Sequence, residues 1–105
     1  MNNVINLSAS DFGDKIVNDK SAIVVDVRTS QEFNDGHISN SLLIDIYNPT
    51  FAEIISKLDK SKNYYIYCRS GSRSYHVGVF MLQQGFNNVH HLEEGIISWN
   101  ASLEK

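Results

Sequence analysis

The stretch from Tyr64 to Gly78, YYIYCRSGSRSYHVG, leaves this chain few folds to choose from. After a polar turn (Ser61, Lys62, Asn63), the bulky β-prone run Tyr64, Tyr65, Ile66, Tyr67 reads as a short buried strand. Cys68, the chain's only cysteine, follows at once, and then Arg69, Ser70, Gly71, Ser72 and Arg73 lead into a run with helical spacing. A thiol is thus expected at a strand's carboxyl end, in a tight loop that opens into a helix.

That position favours a reactive sulfur. The first N–H groups of a helix lack partners inside it and the helix dipole adds partial positive charge, so anions are held there. Arg69 and Arg73 bring two permanent positive charges, and Gly71 lets the loop curl with its N–H groups aimed at the sulfur. A buried, inert core thiol would sit inside an apolar run, whereas here two Arg, two Ser and a Gly follow.

The segment CRSGSRS after a hydrophobic strand resembles the active-site loop of the rhodanese family of sulfurtransferases. VVDVRTSQEFNDGHISNS (Val24 to Ser41) resembles the same family's D-V-R…E-F…G-H-I segment, and GFNNVHHLEEGIISW (Gly85 to Trp99) its G-F…V…L-x-G-G…W ending. The resemblance implies a single rhodanese-like domain over residues 1–105, in which Cys68 accepts a sulfane sulfur as a persulfide. Loop amides from Arg69, Ser70, Gly71, Ser72 and Arg73 would cradle it, and Arg69 and Arg73 would attract an anionic donor. The donor would be thiosulfate or a related small molecule; the acceptor would be cyanide, a thiol or a protein. No cofactor is implied. The sequence departs from the family pattern at Glu94, where a second glycine is common, and at Ser39-Asn40, which replaces a frequent Pro-Gly; asparagine tolerates the left-handed geometry such a turn needs.

Two other classes are weighed against sulfur transfer. Cysteine phosphatases and arsenate reductases use a C-x5-R loop, but Cys68 to Arg73 counts as C-x4-R, short by one residue and better sized for one sulfur atom than for a phosphate. A binding or sulfur-relay module would use the same persulfide with little turnover of its own, and only measured turnover separates it from an enzyme.

Composition supports an ordinary globular domain. The 105 residues suffice for one core, with 42% hydrophobic and 20% charged residues. The net charge of −3 argues against a nucleic-acid surface. One cysteine rules out an internal disulfide framework. The start, MNNVINLSASDFGDKIV, has no basic segment followed by an apolar core, and no apolar run approaches the ~20 residues that span a bilayer. The expected setting is cytoplasmic, with no membrane partner.

In order, Val4, Ile5 and Leu7 suggest an edge strand, and Ser8 or Ser10 caps a helix carrying Phe12, Ile16 and Val17. After a turn at 18–21, the near-continuous β-branched run Ala22 to Val27 suits a parallel strand buried on both faces. Thr29 or Ser30 caps a short helix that Gly36 ends, and Leu42-Leu43-Ile44 is a further strand. Pro49 suits the first turn of a helix with Phe51, Ile54, Ile55 and Leu58 at helical spacing. A helix after the cysteine loop runs to about Gln84, with Gly85 as its stop; then come a strand Val89–Leu92 and a last short helix around Trp99. This alternation predicts an α/β fold with a mostly parallel central sheet flanked by helices, its ligands beyond the strands' carboxyl ends.

Asp26, Arg28 and Glu32 are expected to brace the site rather than touch substrate, with Arg28 and Glu32 paired four apart. His37, in the G-H-I turn, is read as bonding backbone groups, and His90 and His91 as facing opposite sides of a strand. No zinc-like spacing is present, so no metal is expected. Tyr47 and Phe51 are placed at the rim of the site's mouth, and Gly78 is attributed to close helix-to-strand packing.

Overall fold

The β-branched run and the tyrosine run lie side by side at the centre of the sheet, as expected of strands with no wet face. In the computed structural model, which describes residues 3–105, β2 (Ala22–Asp26) pairs in parallel with β4 (Asn63–Tyr67) along its whole length. Met1 and Asn2, where the reading of a missing leader begins, lie outside the described residues. β4 pairs with β5 (Val89–Leu92), β5 with β1 (Ile5–Leu7), and β2 with β3 (Leu42–Leu43), giving the order β1-β5-β4-β2-β3 with every pair parallel. Ile44 falls just past the paired residues, though its N–H still donates to the Asp26 carbonyl.

The strands' alternation sorts their side chains into two layers. Tyr64, Ile66 and Cys68 join Val25, Val27 and Val89 on one face, covered by Ile55 of α3 (Phe51–Ser56) and by Val77 and Met81 of α4 (Ser72–Gln83). Tyr65 and Tyr67 face the other way, with Leu7, Val24 and Leu92, beneath Phe12 of α1 (Ala9–Asn18). Phe12 meets Tyr65 and Trp99 edge to face, each at 5.9 Å between ring centroids. Cys68 therefore lies on the α4 side of the sheet.

Local chemistry sets most helix boundaries. Ser8 caps α1 by accepting the Asp11 N–H. Thr29 caps α2 (Ser30–Asp35) with a reciprocal box: its hydroxyl accepts the Glu32 N–H while the Glu32 carboxylate accepts the Thr29 N–H. Pro49 does not open α3 as expected; it sits in the turn before it, and Thr50 is the flanking residue. The last helix is shorter than read, a single 3-10 turn over Ile96–Ser98 that ends at Trp99. Asn40 takes φ 65°, so the turn that lacks the family's Pro-Gly keeps its left-handed geometry. Gly78 allows close packing: a Cβ there would lie 2.8 Å from Val4 Cγ2.

Candidate active site

β4 ends one residue before Cys68, and α4 begins four residues after it. Between them the chain turns back over the thiol. Cys68 is 1% exposed, and its Sγ accepts the Gly71 N–H at 3.1 Å and the Ser74 N–H at 3.3 Å. The sulfur thus stands at the amino end of a twelve-residue helix, where N–H groups and dipole both favour negative charge.

The loop's curl depends on two glycines that interlock it with the turn after β5. Gly71 has φ 103° and its would-be Cβ would strike the Glu93 carbonyl oxygen. Gly95, at φ 75°, faces the Arg69 carbonyl in the same way. The turn is secured by Ile96 N–H donating to the Cys68 carbonyl at 2.9 Å and Ile97 N–H to the Arg69 carbonyl at 3.3 Å. Glu94 is exposed here, so replacing the usual glycine leaves this interlock intact.

The structure redistributes the charges assigned from sequence. Arg28 does not pair with Glu32. Its Nε and Nη2 hold the fully buried Asp26 carboxylate, with the shortest contact 2.6 Å, and Nη2 also donates to the Gly36 carbonyl at 2.7 Å. Burial works against the Arg28 charge, but the bonds to Asp26 outweigh it and its pKa is raised. The cation also lies over the Tyr67 ring, 5.5 Å from its centroid. Asp26 and Arg28 thereby fasten the end of β2 to the close of α2.

Glu32 instead reaches Arg73. Both guanidinium nitrogens bond its carboxylate at 2.9 Å, a two-pronged pair between α2 and the first turn of α4. The Arg73 hydrogen bonds hold Glu32 down at a pKa of about 2. The same bonds raise that of Arg73. Arg73, expected to face the donor, is committed to the scaffold; Arg69, Ser70 and Ser72 are exposed at the mouth.

Tyr47 is 68% exposed and lies in the neighbourhood of Arg73. Phe51 is not at the rim: it packs on the core beside Phe80, with ring centroids 6.5 Å apart. His37 stacks on Phe33 at 3.7 Å between centroids and bonds the Phe33 carbonyl through Nδ1, a turn role. Among the described residues, no three or more His, Cys, Asp or Glu side chains are grouped to hold a metal ion, and no helix is long and apolar enough to cross a membrane.

Sequence reasoning missed Ser74, His91 and Asn6. His90 and His91 face opposite sides, as expected: His90 stacks on Tyr65, while His91 turns toward α4 and is 3% exposed. There Ser74, fully buried one turn into α4, places its Oγ 3.5 Å from the Cys68 sulfur and 2.9 Å from His91 Nδ1. The only signal was positional. A serine at the third residue of a helix that packs on the sheet points back toward the preceding strand's end.

A parallel α/β sheet with a cradled thiol just beyond a central strand places a candidate nucleophile where open α/β sheets bind their ligands. The chain belongs to the rhodanese-like domain family, whose profile matches residues 8–102. It is 30% identical over 93 residues to a sulfurtransferase of Allochromatium vinosum, covering 89% of this chain and 85% of that one. It is also 34% identical over 92 residues to a tRNA uridine(34) hydroxylase of Pelagibacter ubique, where 87% of this chain spans only 31% of the longer protein. Among solved structures, a rhodanese-like domain protein from Staphylococcus aureus superposes with a TM-score of 0.83 at 29% identity, covering 96% of this chain and 97% of that one. A rhodanese-related protein from Thermoplasma volcanium gives 0.76 at 36% identity, with 92% and 89% covered.

Proposed function

We propose that this protein is a sulfurtransferase that carries sulfane sulfur on Cys68 as a persulfide. Family membership and the sulfurtransferase relative support sulfur transfer in general. The observation that carries the finer reading is the cradle itself: two N–H groups, from Gly71 and Ser74, converge on one buried sulfur at a helix amino end. The Cys68 thiolate attacks the outer sulfur of thiosulfate or a related donor. The S–S bond of the donor breaks and sulfite leaves with its electron pair. An acceptor nucleophile, cyanide or a thiol, then attacks the terminal sulfur, and the Cys68 thiolate departs. Arg69, exposed beside the loop, is a cation placed to meet an anionic donor. Arg73 on Glu32 also counts against phosphoryl chemistry, since its guanidinium is turned to a carboxylate and not into the loop.

A relay to a protein acceptor is the second reading. It is favoured by Tyr47 and Ile97, 68% and 65% exposed, which flank the loop and offer apolar surface to a docking partner. Intact mass after exposure to thiosulfate tests the shared chemistry: a gain of one sulfur atom, removed by cyanide, is expected, and no gain would refute it. Turnover with free thiosulfate then separates enzyme from relay.

A further inference from the structure

Beside the sulfur, a line of polar side chains runs to the β1 edge of the sheet. Cys68 Sγ stands 3.5 Å from Ser74 Oγ as a donor, Ser74 Oγ is 2.9 Å from His91 Nδ1, and His91 Nε2 is 2.8 Å from Asn6 Oδ1. Cys68, Ser74 and His91 are buried, and Asn6 is exposed on β1, directly across from His91 in the parallel register. Nothing in the sulfur-transfer scheme above uses the last two.

The direction of each bond follows from the far end. An amide oxygen only accepts, so His91 Nε2 carries the hydrogen toward Asn6 Oδ1. Nδ1 is then the bare nitrogen and takes the Ser74 hydroxyl hydrogen. That leaves the Ser74 oxygen open to accept from the Cys68 thiol. Ser74 Oγ also lies 3.1 Å from the Gly71 carbonyl, the resting alternative for its hydrogen. All three links can thus point one way, from the sulfur through the imidazole to Asn6.

We propose that Ser74 and His91 form a proton relay that takes the thiol proton of Cys68 and returns it after the sulfur is discharged. The S–H bond breaks as Ser74 Oγ gains that proton and gives its own to His91 Nδ1. The electron pair stays on Sγ, and the imidazolium keeps its Nε2–H on Asn6. When the acceptor removes the terminal sulfur, the thiolate returns and the two protons move back, so no other reactant is consumed. Ser74 touches the reacting atom; His91 acts through it as a positioning residue. The positive imidazole forms only together with the negative sulfur, so the buried set stays neutral overall. Burial lowers the pKa of His91, which keeps it uncharged while the thiol is protonated. The other groups facing His91 are Glu93 beyond the end of β5, which favours the imidazolium, and the Tyr75 ring of α4, edge-on at 5.6 Å. Arg73 and Arg69 are the cations nearest the sulfur along the loop.

This inference rests on Cys68 as the nucleophile but not on any sulfur donor, so alkylation of the single thiol by iodoacetamide tests it separately. The rate is followed by intact mass across pH 5 to 10, a range set by the ordinary histidine and cysteine values. The wild-type curve is expected to show two coupled titrations. Ser74→Ala keeps the backbone N–H on the sulfur, yet should slow alkylation at pH 7 by at least about tenfold and leave one titration. His91→Asn should do the same, and the double variant should be no slower than either single one. Asn6→Asp, at an exposed position, puts a carboxylate on Nε2–H and should accelerate the reaction instead. Should His91→Asn fail to fold, Ser74→Ala and Asn6→Asp decide the matter. Curves that superimpose on wild type for Ser74→Ala, or no acceleration in Asn6→Asp, would overturn the relay. Normal alkylation curves without any sulfur uptake from thiosulfate would instead overturn the persulfide reading.

Discussion

Arg73 grips Glu32 through both guanidinium nitrogens at 2.9 Å each, so the first turn of α4 is tied to the third residue of α2. The residue that looked from sequence like an anion receptor is a strut, and this changes what its removal should do. Arg73→Ala should lower kcat/KM by a similar factor for thiosulfate and for an uncharged persulfide donor, because the loop loses its support in both cases. A cost of about 1–2 kcal/mol is expected for a charge-assisted pair a quarter exposed. A loss confined to thiosulfate would return Arg73 to the donor. Arg69→Ala should show that selective loss.

The same pair gives stability a defined acid limit. Glu32 has a folded pKa of about 2, below its ordinary 4.5, so its contribution is present above pH 4.5 and is lost as pH falls from there toward 2. Glu32→Gln should therefore be less stable than wild type at neutral pH, by about 1–2 kcal/mol once solvent screening is allowed for. The difference should close between those two pH values. Asp19, held low chiefly by the Tyr65 hydroxyl, weakens in acid too, but equally in both proteins. Urea unfolding at several pH values checks this; a gap that stays constant down to pH 2 would contradict it.

Gly78 sets helix propensity against packing. Alanine in mid-helix is worth about 1 kcal/mol over glycine. Here its Cβ would meet Val4 Cγ2 at 2.8 Å and Cγ1 at 3.0 Å, and the β-branched, buried Val4 just before β1 has little freedom to turn away. Packing should win, with Gly78→Ala destabilising by about 1–2 kcal/mol. In a Val4→Ala background the sign should reverse. Thermal midpoints of the four proteins measure it.

Much of this architecture was legible because its signals are local or periodic. The β-branched run at 22–27 and the tyrosines at 64–67 announced strands buried on both faces, and the residues after Cys68 announced the loop and helix. Asn40 kept a left-handed turn that its chemistry allowed. What sequence misassigned was partner choice. Arg28 and Glu32 sit at helical pair spacing, but Arg28 lies in the turn before the Thr29 cap of α2, where its side chain follows β2 back to Asp26. That leaves Glu32 to a residue forty-one positions on, a contact fixed only by how α2 and α4 sit over the sheet's end. Ser74 and His91 escaped notice for the same reason: seventeen residues separate them, and only the parallel crossover brings them to 2.9 Å.

Cys68 is the only thiol, so a persulfide formed there has no resolving cysteine within the chain. Discharge needs an external nucleophile, and donor and acceptor must use one pocket in turn. Parallel initial-rate plots are expected, with no transfer until cyanide or a thiol is added. Intersecting plots would mean a ternary complex. Cys68→Ser should abolish transfer and keep the fold, since the hydroxyl is close in size but a far weaker nucleophile.

Gly71 is where the fold and the chemistry share one atom position. Its φ of 103° disfavours any side chain, and a Cβ there would strike the Glu93 carbonyl, a backbone atom that no rotamer can move. Gly71→Ala must therefore displace either the cysteine loop or the turn after β5, and the Gly71 N–H that bonds the sulfur at 3.1 Å moves with it. Two losses should appear together. The thermal midpoint should drop by roughly 4–8 °C per kcal/mol of strain, as for domains of this size. Sulfur uptake from thiosulfate should fall by about 100-fold, the usual consequence of misplacing a reactive group by an ångström. The second loss is the telling one. A folded Gly71→Ala protein, checked below its own melting point, that still takes up sulfur at the wild-type rate would show that the Gly71 amide is not part of the cradle.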